Sequence, residues 1–222
     1  MKVKYSEQFA KSIIEKYINV DSITQIDSGN HSDAFVVNDN LVIKLPKHKK
    51  ASDCLIDEIK VLKGLDNRLS VNIPNVEFYG TFVDEGQNFV FFASKKLNGS
   101  KLSRQKFISL PKNILNKNAE IIAKFLVELH SQKHIIQIKR KDLCLLHGDF
   151  SLNHCLFDEN NLICSVLDFG DTRIGKAKSD FVYLLDAEDD EEFGIEFGNE
   201  VLKIYKQKTK EKKQYDHREN RK

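Results

Sequence analysis

The sequence has 222 residues, of which 41% are hydrophobic and 31% charged, and its formal net charge is +2. This length allows one large domain or two smaller lobes with an ordinary hydrophobic core. No apolar run approaches membrane-spanning length and the N-terminus lacks the apolar core of a secretory signal, so we expect a cytoplasmic protein with no membrane partner. The four cysteines form no C-x-x-C pair, which favours reduced thiols over disulfides or a zinc site.

Positive charge is concentrated at the end of the chain. Residues 203–222 contain nine Lys or Arg and three acidic residues, so the rest of the chain is net acidic. A basic tail can bind nucleic acid, but this one has few aromatic residues and almost no apolar periodicity. We therefore expect residues 206–222 to form a solvated polar tail, without a nucleic-acid partner.

The first part of the chain predicts a helix over residues 6–17 and three strands, at residues 22–27, 34–37 and 41–45. The first two strands are joined by a turn of small residues, Ser28-Gly29-Asn30-His31-Ser32. The backbone N–H groups of such a turn can approach a phosphate closely. Because the turn has only one glycine, a plain β-hairpin is the alternative, and His31 is interpreted as a loop residue.

Lys44 lies near the end of the third strand between apolar neighbours, so its charge needs an anionic partner. A helix predicted over residues 52–66 supplies one. Its apolar stripe comprises Leu55, Ile59, Leu62 and Leu65. Glu58 falls within this stripe, whereas Asp57 lies about 200° around the helix from Leu55, so Glu58 is the predicted partner. The loop before the helix carries three lysines that we expect to be solvated: Lys47, Lys49 and Lys50.

Two more strands are predicted over residues 76–83 and 89–94, and a helix over residues 116–130. The helix ends at His130, which is interpreted as a capping or packing residue. Beyond it, the chain holds two acidic tripeptides, His147-Gly148-Asp149 and Asp168-Phe169-Gly170.

The segment between the two tripeptides predicts a β-hairpin, with strands at residues 155–157 and 162–167 around a polar turn. Such a hairpin would place Asp149, His154 and Asp168 at neighbouring strand ends, close enough to share a metal ion and a phosphate. Phosphoryl transfer needs one carboxylate near the attacking hydroxyl and a metal ion held by other ligands.

This stretch resembles the protein-kinase-like phosphotransferases. Their pattern is H-x-D-x-x-x-x-N followed by D-F-G, and LLHGDFSLNH and VLDFGD stand in those places here. The fifth position after Asp149 is His154 rather than Asn. A histidine there is usual in the aminoglycoside 2''-phosphotransferases, so the sequence resembles that branch, with further matches at residues 171–175 and 179–185.

The resemblance implies a role for each of these residues. Asp149 would orient or deprotonate the acceptor hydroxyl, and His154 and Asp168 would hold Mg²⁺. Because magnesium prefers oxygen ligands, the alternative for His154 is a histidine that only hydrogen-bonds Asp168. The donor would be ATP or GTP. The implied nucleotide-site residues are Ser28, Gly29, Lys44 with its partner Glu58, and Lys95 and Leu97 through their backbone at a hinge.

The resemblance also implies a cationic, aminoglycoside-like acceptor. Residues 186–192 include six carboxylates. A helix N-terminus favours acids by ~0.3–1 kcal/mol each, which accounts for part of this block, and a polycationic substrate would relieve the remaining repulsion. The implied acceptor residues are Ser151, Asp171, Tyr183, Asp186, Glu191 and Glu192.

We therefore predict an α+β, two-lobed protein-kinase-like fold and a monomer. An antiparallel-sheet N-lobe would cover residues 1–97 and a mainly helical C-lobe residues 98–205, before the polar tail. The implied function is transfer of a nucleotide γ-phosphate to an aminoglycoside hydroxyl, an antibiotic-resistance activity.

Two features depart from that family. Only sixteen residues, 131–146, connect the helix that ends at His130 to His147, and members of the family carry a helical insertion there. The last helices of the family are also missing. The alternatives are a truncated nucleotide-binding protein (a pseudokinase) without turnover, and a small Bud32-like protein kinase.

Overall fold

The computed structural model describes residues 4–140, 142–186 and 193–219, with side chains described up to residue 212. The chain divides into two compact units. The first unit comprises Met1–Gly64 and Pro74–Leu97, and the second comprises Leu65–Ile73 and Asn98–Lys222. Within the described residues, none of the helices has both the length and the apolar character needed to cross a bilayer.

The first unit is built on a five-stranded antiparallel sheet with the strand order β1-β2-β3-β5-β4. The strands are β1 (Ile23–Ser28), β2 (Ser32–Val37), β3 (Leu41–Pro46), β4 (Val76–Asp84) and β5 (Gln87–Lys95). Helix α1 (Glu7–Ile14) precedes the sheet, and α2 (Lys49–Leu65) lies between β3 and β4 in the chain. The first helix ends three residues before the predicted residue 17.

The core of the first unit lies between α1 and the sheet. Ser6 caps α1 by accepting a hydrogen bond from the Phe9 N–H, and the helix buries Ala10, Ile13 and Ile14. These side chains belong to one cluster with buried residues of four strands: Phe35, Val37, Ile43, Leu45, Phe82, Phe89, Phe91 and Ala93. The buried residues alternate along β2, β3 and β5, as expected when one face of a sheet is buried.

The second unit is mainly helical with two short sheets. Its helices are α3 (Arg104–Ile108), α4 (Lys112–Ser131), α5 (Val182–Leu185) and α6 (Ile195–Glu219). Strand β6 (Cys144–Leu146) pairs with β9 (Arg173–Gly175), and β7 (Cys155–Phe157) pairs with β8 (Ile163–Val166), both antiparallel. Short 3₁₀ turns cover Leu152–His154, Phe169–Asp171 and Ala177–Phe181. The β7–β8 pair is the hairpin expected between the two acidic tripeptides.

Aromatic rings fill the core of the second unit. Phe107 of α3 lies 4.9 Å from Phe197 of α6, measured between ring centroids. Phe150, which follows Asp149, lies 5.5 Å from Phe125 of α4 and 5.7 Å from Phe193 just before α6. These rings bury large apolar areas in specific offset and edge contacts. The segment that carries Asp149 is therefore anchored to the helices through its neighbouring phenylalanine.

Two regions differ from the expectation. Residues 206–219 continue α6, where we expected a polar tail, because Lys, Gln and Glu are good helix formers and Gln207 bonds Glu211 one turn on. Leu65–Ile73 clusters with the second unit instead of the first. Its Asn72 N–H bonds the Cys164 carbonyl, and its Ser70 N–H bonds the Glu128 carboxylate.

The four cysteines are free thiols, as the sequence indicated. Cys54 is exposed, Cys144 and Cys155 are buried and Cys164 is half-buried. Burial raises the pKa of Cys144 to about 11 and raises the pKa of Cys155 further.

Gly198 provides a test of how α6 packs on α5. A Cβ at this position would overlap the main-chain carbonyl of Leu184. Replacing a helical glycine with alanine normally stabilises a protein by ~1 kcal/mol, but overpacking costs ~1–3 kcal/mol. We expect Gly198→Ala to lower the free energy of unfolding in urea denaturation, and the exposed control Asn199→Ala to leave it unchanged or slightly raised. A stabilised Gly198→Ala variant would contradict the close approach of α5 and α6.

Candidate active site

The ends of the β7–β8 hairpin bring the three predicted residues of the second unit together. The Nδ1 atom of His154 lies 3.9 Å from Oδ2 of Asp149, and its Nε2 atom lies 3.8 Å from Oδ2 of Asp168. The exposed fraction of the side chain is 19% for His154, 37% for Asp149 and 44% for Asp168. Two solvent-accessible carboxylates thus flank a half-buried imidazole.

The hydrogen bonds of His154 fix which of its nitrogens carries the proton. Nδ1 lies 2.7 Å from the main-chain carbonyl oxygen of Asp149, which can only accept, so Nδ1 carries the hydrogen in the neutral ring. The lone pair of Nε2 is then on the side of Asp168. Their separation of 3.8 Å is longer than a hydrogen bond. Whether His154 holds a metal ion or hydrogen-bonds Asp168 stays a prediction.

This donor set fits a magnesium ion in part. The carboxylate oxygens of Asp149 and Asp168 are ligands that Mg²⁺ prefers, and the unprotonated Nε2 of His154 is a less usual one. Among the described residues, no group of three His, Cys, Asp or Glu side chains already has metal-binding geometry. Because Mg²⁺ usually keeps several waters and takes further oxygens from substrate phosphates, one or two protein ligands are sufficient.

The backbone at both tripeptides has unusual conformations. Asp168 has φ 60° and ψ 73°, in the left-handed region, where a residue other than glycine is strained. Gly148 has φ 93°, and a Cβ there would overlap the main-chain carbonyl of Asp171. The two tripeptide loops therefore lie directly against each other, which only glycine at position 148 permits.

Asp180 accepts hydrogen bonds from the backbone of the first tripeptide, a role that the sequence did not indicate. Its Oδ2 accepts a hydrogen bond from the His147 N–H and its Oδ1 from the Gly148 N–H, both at 2.9 Å. His130 Nε2 lies 3.0 Å from the same Oδ2, and His130 Nδ1 lies 2.9 Å from the Tyr205 hydroxyl. Burial alone would raise the pKa of Asp180, but these hydrogen bonds and the charge of His130 hold it below its usual value.

His130 and Tyr205 are thus further supporting residues that the sequence did not assign to the site. His130 was interpreted as a packing residue, and its position at the end of α4 gave no sign of a carboxylate partner 50 residues later. Burial raises the pKa of Tyr205 to about 12, so it is a neutral hydroxyl near neutral pH.

Ser151, predicted to bind the acceptor, is only 1% exposed. Its Oγ lies 3.4 Å from Nδ1 of His154, so in this structure it supports His154. Asp171 and Asp186 are exposed and Tyr183 is half-buried. Glu191 and Glu192 lie outside the described residues. The acceptor roles of all these residues remain predictions.

In the first unit, Lys44 pairs with Glu58 as the helix periodicity predicted. The Lys44 Nζ atom lies 3.1 Å and 3.3 Å from the two carboxylate oxygens of Glu58. Glu58 is only 2% exposed, so its charge depends on this cation. Lys95 closes β5 and Leu97 ends the unit, and their role at the nucleobase stays a prediction.

The turn between β1 and β2 is held in shape by Lys47. Its Nζ donates to the Ser28 hydroxyl at 2.8 Å and to the Gly29 carbonyl at 2.7 Å, and it lies 3.0 Å from Oδ1 of the fully buried Asp33. Its backbone N–H donates to the His31 carbonyl at 2.8 Å. The expectation that Lys47 is solvated is therefore wrong, because the buried charge of Asp33 requires a cation.

Substitution of Lys47 tests whether the stability of the protein depends on the ion pair between Lys47 and Asp33. We expect Lys47→Met to lower the free energy of unfolding by ~3–5 kcal/mol, because it leaves Asp33 buried without its cation. The double variant Asp33→Asn/Lys47→Met, which leaves no charge, should recover much of the loss, and the exposed control Lys49→Met should have little effect. Equal stability of the Lys47→Met and Lys49→Met variants in urea denaturation would contradict this account.

His147 makes the stability of the second unit depend on pH. It is fully buried, Nε2 donates to the Leu167 carbonyl at 2.9 Å, and Nδ1 has no hydrogen-bond partner among the described residues. Burial therefore lowers the pKa of His147 below its ordinary value of 6.5. The unfolded chain takes up this proton first as the pH falls, so the fold loses stability below about pH 6.5.

Substitution of His147 tests that pH dependence. We expect His147→Gln to reduce the slope of unfolding free energy against pH, between about pH 6.5 and 5, by up to ~1.4 kcal/mol per pH unit. Glutamine can still donate to the Leu167 carbonyl. The exposed control His134→Gln should keep the wild-type slope, and a His147→Gln curve parallel to wild type would refute the assignment.

Residues 132–217 match the family model of the phosphotransferase enzyme family, APH. This segment contains both acidic tripeptides and the β7–β8 hairpin.

Solved structures give the same result for the fold. The chain is similar to the gentamicin complex of APH(2'')-IIa, with a TM-score of 0.75 and 24% identity over 92% of this chain and 83% of that chain. It is similar to ADP-bound APH(2'')-Ib, with a TM-score of 0.72 and 25% identity over 88% and 80%. The macrolide 2'-phosphotransferase MphH from Brachybacterium faecium gives a TM-score of 0.63 and 13% identity over 89% and 82%.

The chain spans about four fifths of the length of each of these proteins. Both comparisons confirm the predicted resemblance: this chain has the kinase-like fold of the aminoglycoside 2''-phosphotransferases, and its second unit carries the sequence pattern of the phosphotransferase enzyme family.

Proposed function

We propose that this protein transfers the γ-phosphoryl group of a nucleotide to a hydroxyl group of an aminoglycoside. The observation that carries the proposal is the arrangement of Asp149, His154 and Asp168 at the ends of one hairpin. Phosphoryl transfer consists largely of positioning and charge stabilisation. A rigid group of two carboxylates and an imidazole on a supported loop suits both tasks.

Asp149 is the residue that would receive the acceptor. Its main-chain carbonyl accepts a hydrogen bond from His154 and its side chain is partly exposed, so the backbone at Asp149 is held while the carboxylate remains accessible. It would accept a hydrogen bond from the acceptor hydroxyl and take its proton as the bond from the hydroxyl oxygen to the γ-phosphorus forms and the bond from the γ-phosphorus to the departing nucleoside diphosphate breaks. General-base positioning of this kind contributes typically ~10²–10⁴-fold in rate.

Asp168 and His154 would hold the magnesium ion, which, when bound, offsets negative charge on the phosphates. Asp168 contributes a carboxylate oxygen from a strained left-handed backbone, a conformation that often accompanies a functional site. The hydrogen bond from Nδ1 to the Asp149 carbonyl orients the His154 ring so that the lone pair of Nε2 is on the side of Asp168. His154 thereby links the acceptor residue to the cation residue.

The first unit would supply the nucleotide contacts. Lys44, kept charged and extended by Glu58, is the proposed partner of the phosphates. The turn at Ser28 and Gly29, shaped by Lys47, would offer backbone N–H groups to the same phosphates. The backbone of Lys95 and Leu97 would bind the edge of the nucleobase. Structures similar to this chain contain GDP, ADP or ATP, which supports a purine nucleotide as donor, either ATP or GTP.

The proposed acceptor is a cationic aminoglycoside. The similar structures include complexes with gentamicin, kanamycin and streptomycin. In this chain, the exposed carboxylates of Asp171 and Asp186, together with Glu191 and Glu192, would attract its ammonium groups. Tyr183 and Ser151 are the remaining proposed acceptor residues, Ser151 through its support of His154.

A nucleotide-binding protein without turnover is the second candidate. It is favoured by the short connection between α4 and β6, residues 132–143, where members of the resembling family carry a helical insertion. Thermal stabilisation by Mg-nucleotide without any phosphorylated product from an acceptor panel would support this candidate.

Substitution of Asp149 separates the two functions. With radiolabelled ATP and GTP and a panel of aminoglycosides, we expect wild type to form product and Asp149→Asn to be slower by ~10²–10⁴-fold, with its thermal shift on nucleotide binding retained. The control Asp142→Asn removes an exposed carboxylate that pairs with Arg140 and should keep the wild-type rate. The absence of wild-type product with every acceptor, or equal rates for wild type and Asp149→Asn, would rule out the proposed reaction.

A further inference from the structure

Arg173 lies where the two tripeptide loops meet. It is the first residue of β9 and pairs with Leu146, the last residue of β6, directly before the first tripeptide. Its Nη1 atom donates to the Gly148 carbonyl at 2.9 Å and to the Asp171 carbonyl at 3.2 Å. One guanidinium nitrogen therefore contacts the backbone of both loops.

The chemistry of this nitrogen suits two acceptors at once. Nη1 of arginine carries two hydrogens in the plane of the guanidinium group, so each carbonyl can receive one. Hydrogen bonds from a charged donor are shorter and stronger than those between neutral groups. A Cβ on Gly148 would also come into close contact with Nη1, so the glycine leaves room for the guanidinium.

Arg173 and Asp180 bind the same peptide segment, Arg173 through a backbone carbonyl and Asp180 through backbone N–H groups. Asp180 accepts the N–H groups of His147 and Gly148, and Arg173 donates to the carbonyl of Gly148. Asp149 follows immediately, so its Cα position depends on the peptide unit that Arg173 contacts. The second carbonyl that Arg173 contacts belongs to Asp171, three residues after Asp168.

We propose that Arg173 is a positioning residue for phosphoryl transfer. By bridging the carbonyls of Gly148 and Asp171, it sets the place of Asp149 relative to Asp168. This inference rests on the proposed function. Arg173 itself need not contact the nucleotide or the acceptor, so its removal should affect the chemical step more than substrate binding.

The test compares Arg173→Ala with Arg140→Ala. Arg140 is an exposed arginine of the same unit whose guanidinium group pairs with the exposed Asp142. Because a displacement of about 1 Å can cost ~10²-fold in rate, we expect Arg173→Ala to lower kcat by ~10–100-fold. KM for the nucleotide and for the aminoglycoside should change less than about threefold, and Arg140→Ala should match wild type.

Chemical rescue distinguishes a missing donor from a general defect. We expect millimolar guanidinium, well below denaturing concentration, to restore part of kcat in Arg173→Ala and to leave Arg140→Ala unchanged. Arg173→Lys should retain an intermediate rate, since its ammonium can also donate to both carbonyls. Wild-type kcat in Arg173→Ala, or a change confined to KM, would overturn the inference.

A separate measurement distinguishes failure of the proposed function from failure of the positioning role. If wild type forms no product with any acceptor, the reaction is excluded, and hydrogen exchange then decides the positioning role alone. The amides of residues 147–149 should exchange faster in Arg173→Ala than in wild type and in Arg140→Ala. Equal exchange in all three proteins would overturn the bridge between the loops.

Discussion

The buried carboxylate of Asp180 is the interaction on which the second unit depends. It is 2% exposed, and it brings together the end of α4, the segment before α5 and the first tripeptide through His130, His147 and Gly148. A charge placed so deeply is tolerated only when every oxygen is hydrogen-bonded. The cost of burying it therefore makes the loop that carries Asp149 take one conformation.

The first unit uses the same physical arrangement with different residues. Glu58 and Asp33 are buried carboxylates, and Lys44 and Lys47 are the cations that offset them. Neither carboxylate is placed to react in the proposed mechanism. Glu58 fixes Lys44, the proposed partner of the phosphates. Asp33 fixes Lys47, which shapes the turn at Gly29. In both units, a buried carboxylate thus determines the position of less buried groups. These groups are lysine side chains in the first unit and the loop that carries Asp149 in the second.

The sequence predicted those parts of the site that depend on local periodicity. Glu58 was identified because it falls on the apolar stripe of α2, and the β7–β8 hairpin because a polar turn separates two apolar runs. The resemblance at His154 and Asp168 predicted which side chains would meet at the hairpin ends. In each case, the residues that decide the structure lie within a few turns or one hairpin of each other.

The remaining features depend on long-range contacts that no local pattern reveals. Asp180 bonds residues more than 30 positions earlier, and in the sequence it is one acid among many near the chain end. Lys47 stands beside Lys49 and Lys50, and only the buried Asp33, fourteen residues earlier, distinguishes it from them. The extension of α6 to Glu219 was missed because helix propensity without an apolar stripe was interpreted as a polar tail.

The uneven exposure of the thiols gives the protein a single natural attachment point. Cys144 and Cys155 are buried with raised pKa values, and the Cys164 sulfur lies close to the carbonyls of Asn98 and Leu156. Cys54 is the exposed thiol of the four. It lies on α2, one turn before Glu58. A fluorophore or spin label introduced by thiol chemistry would therefore report on the helix that carries Glu58, the partner of Lys44, without any engineered cysteine.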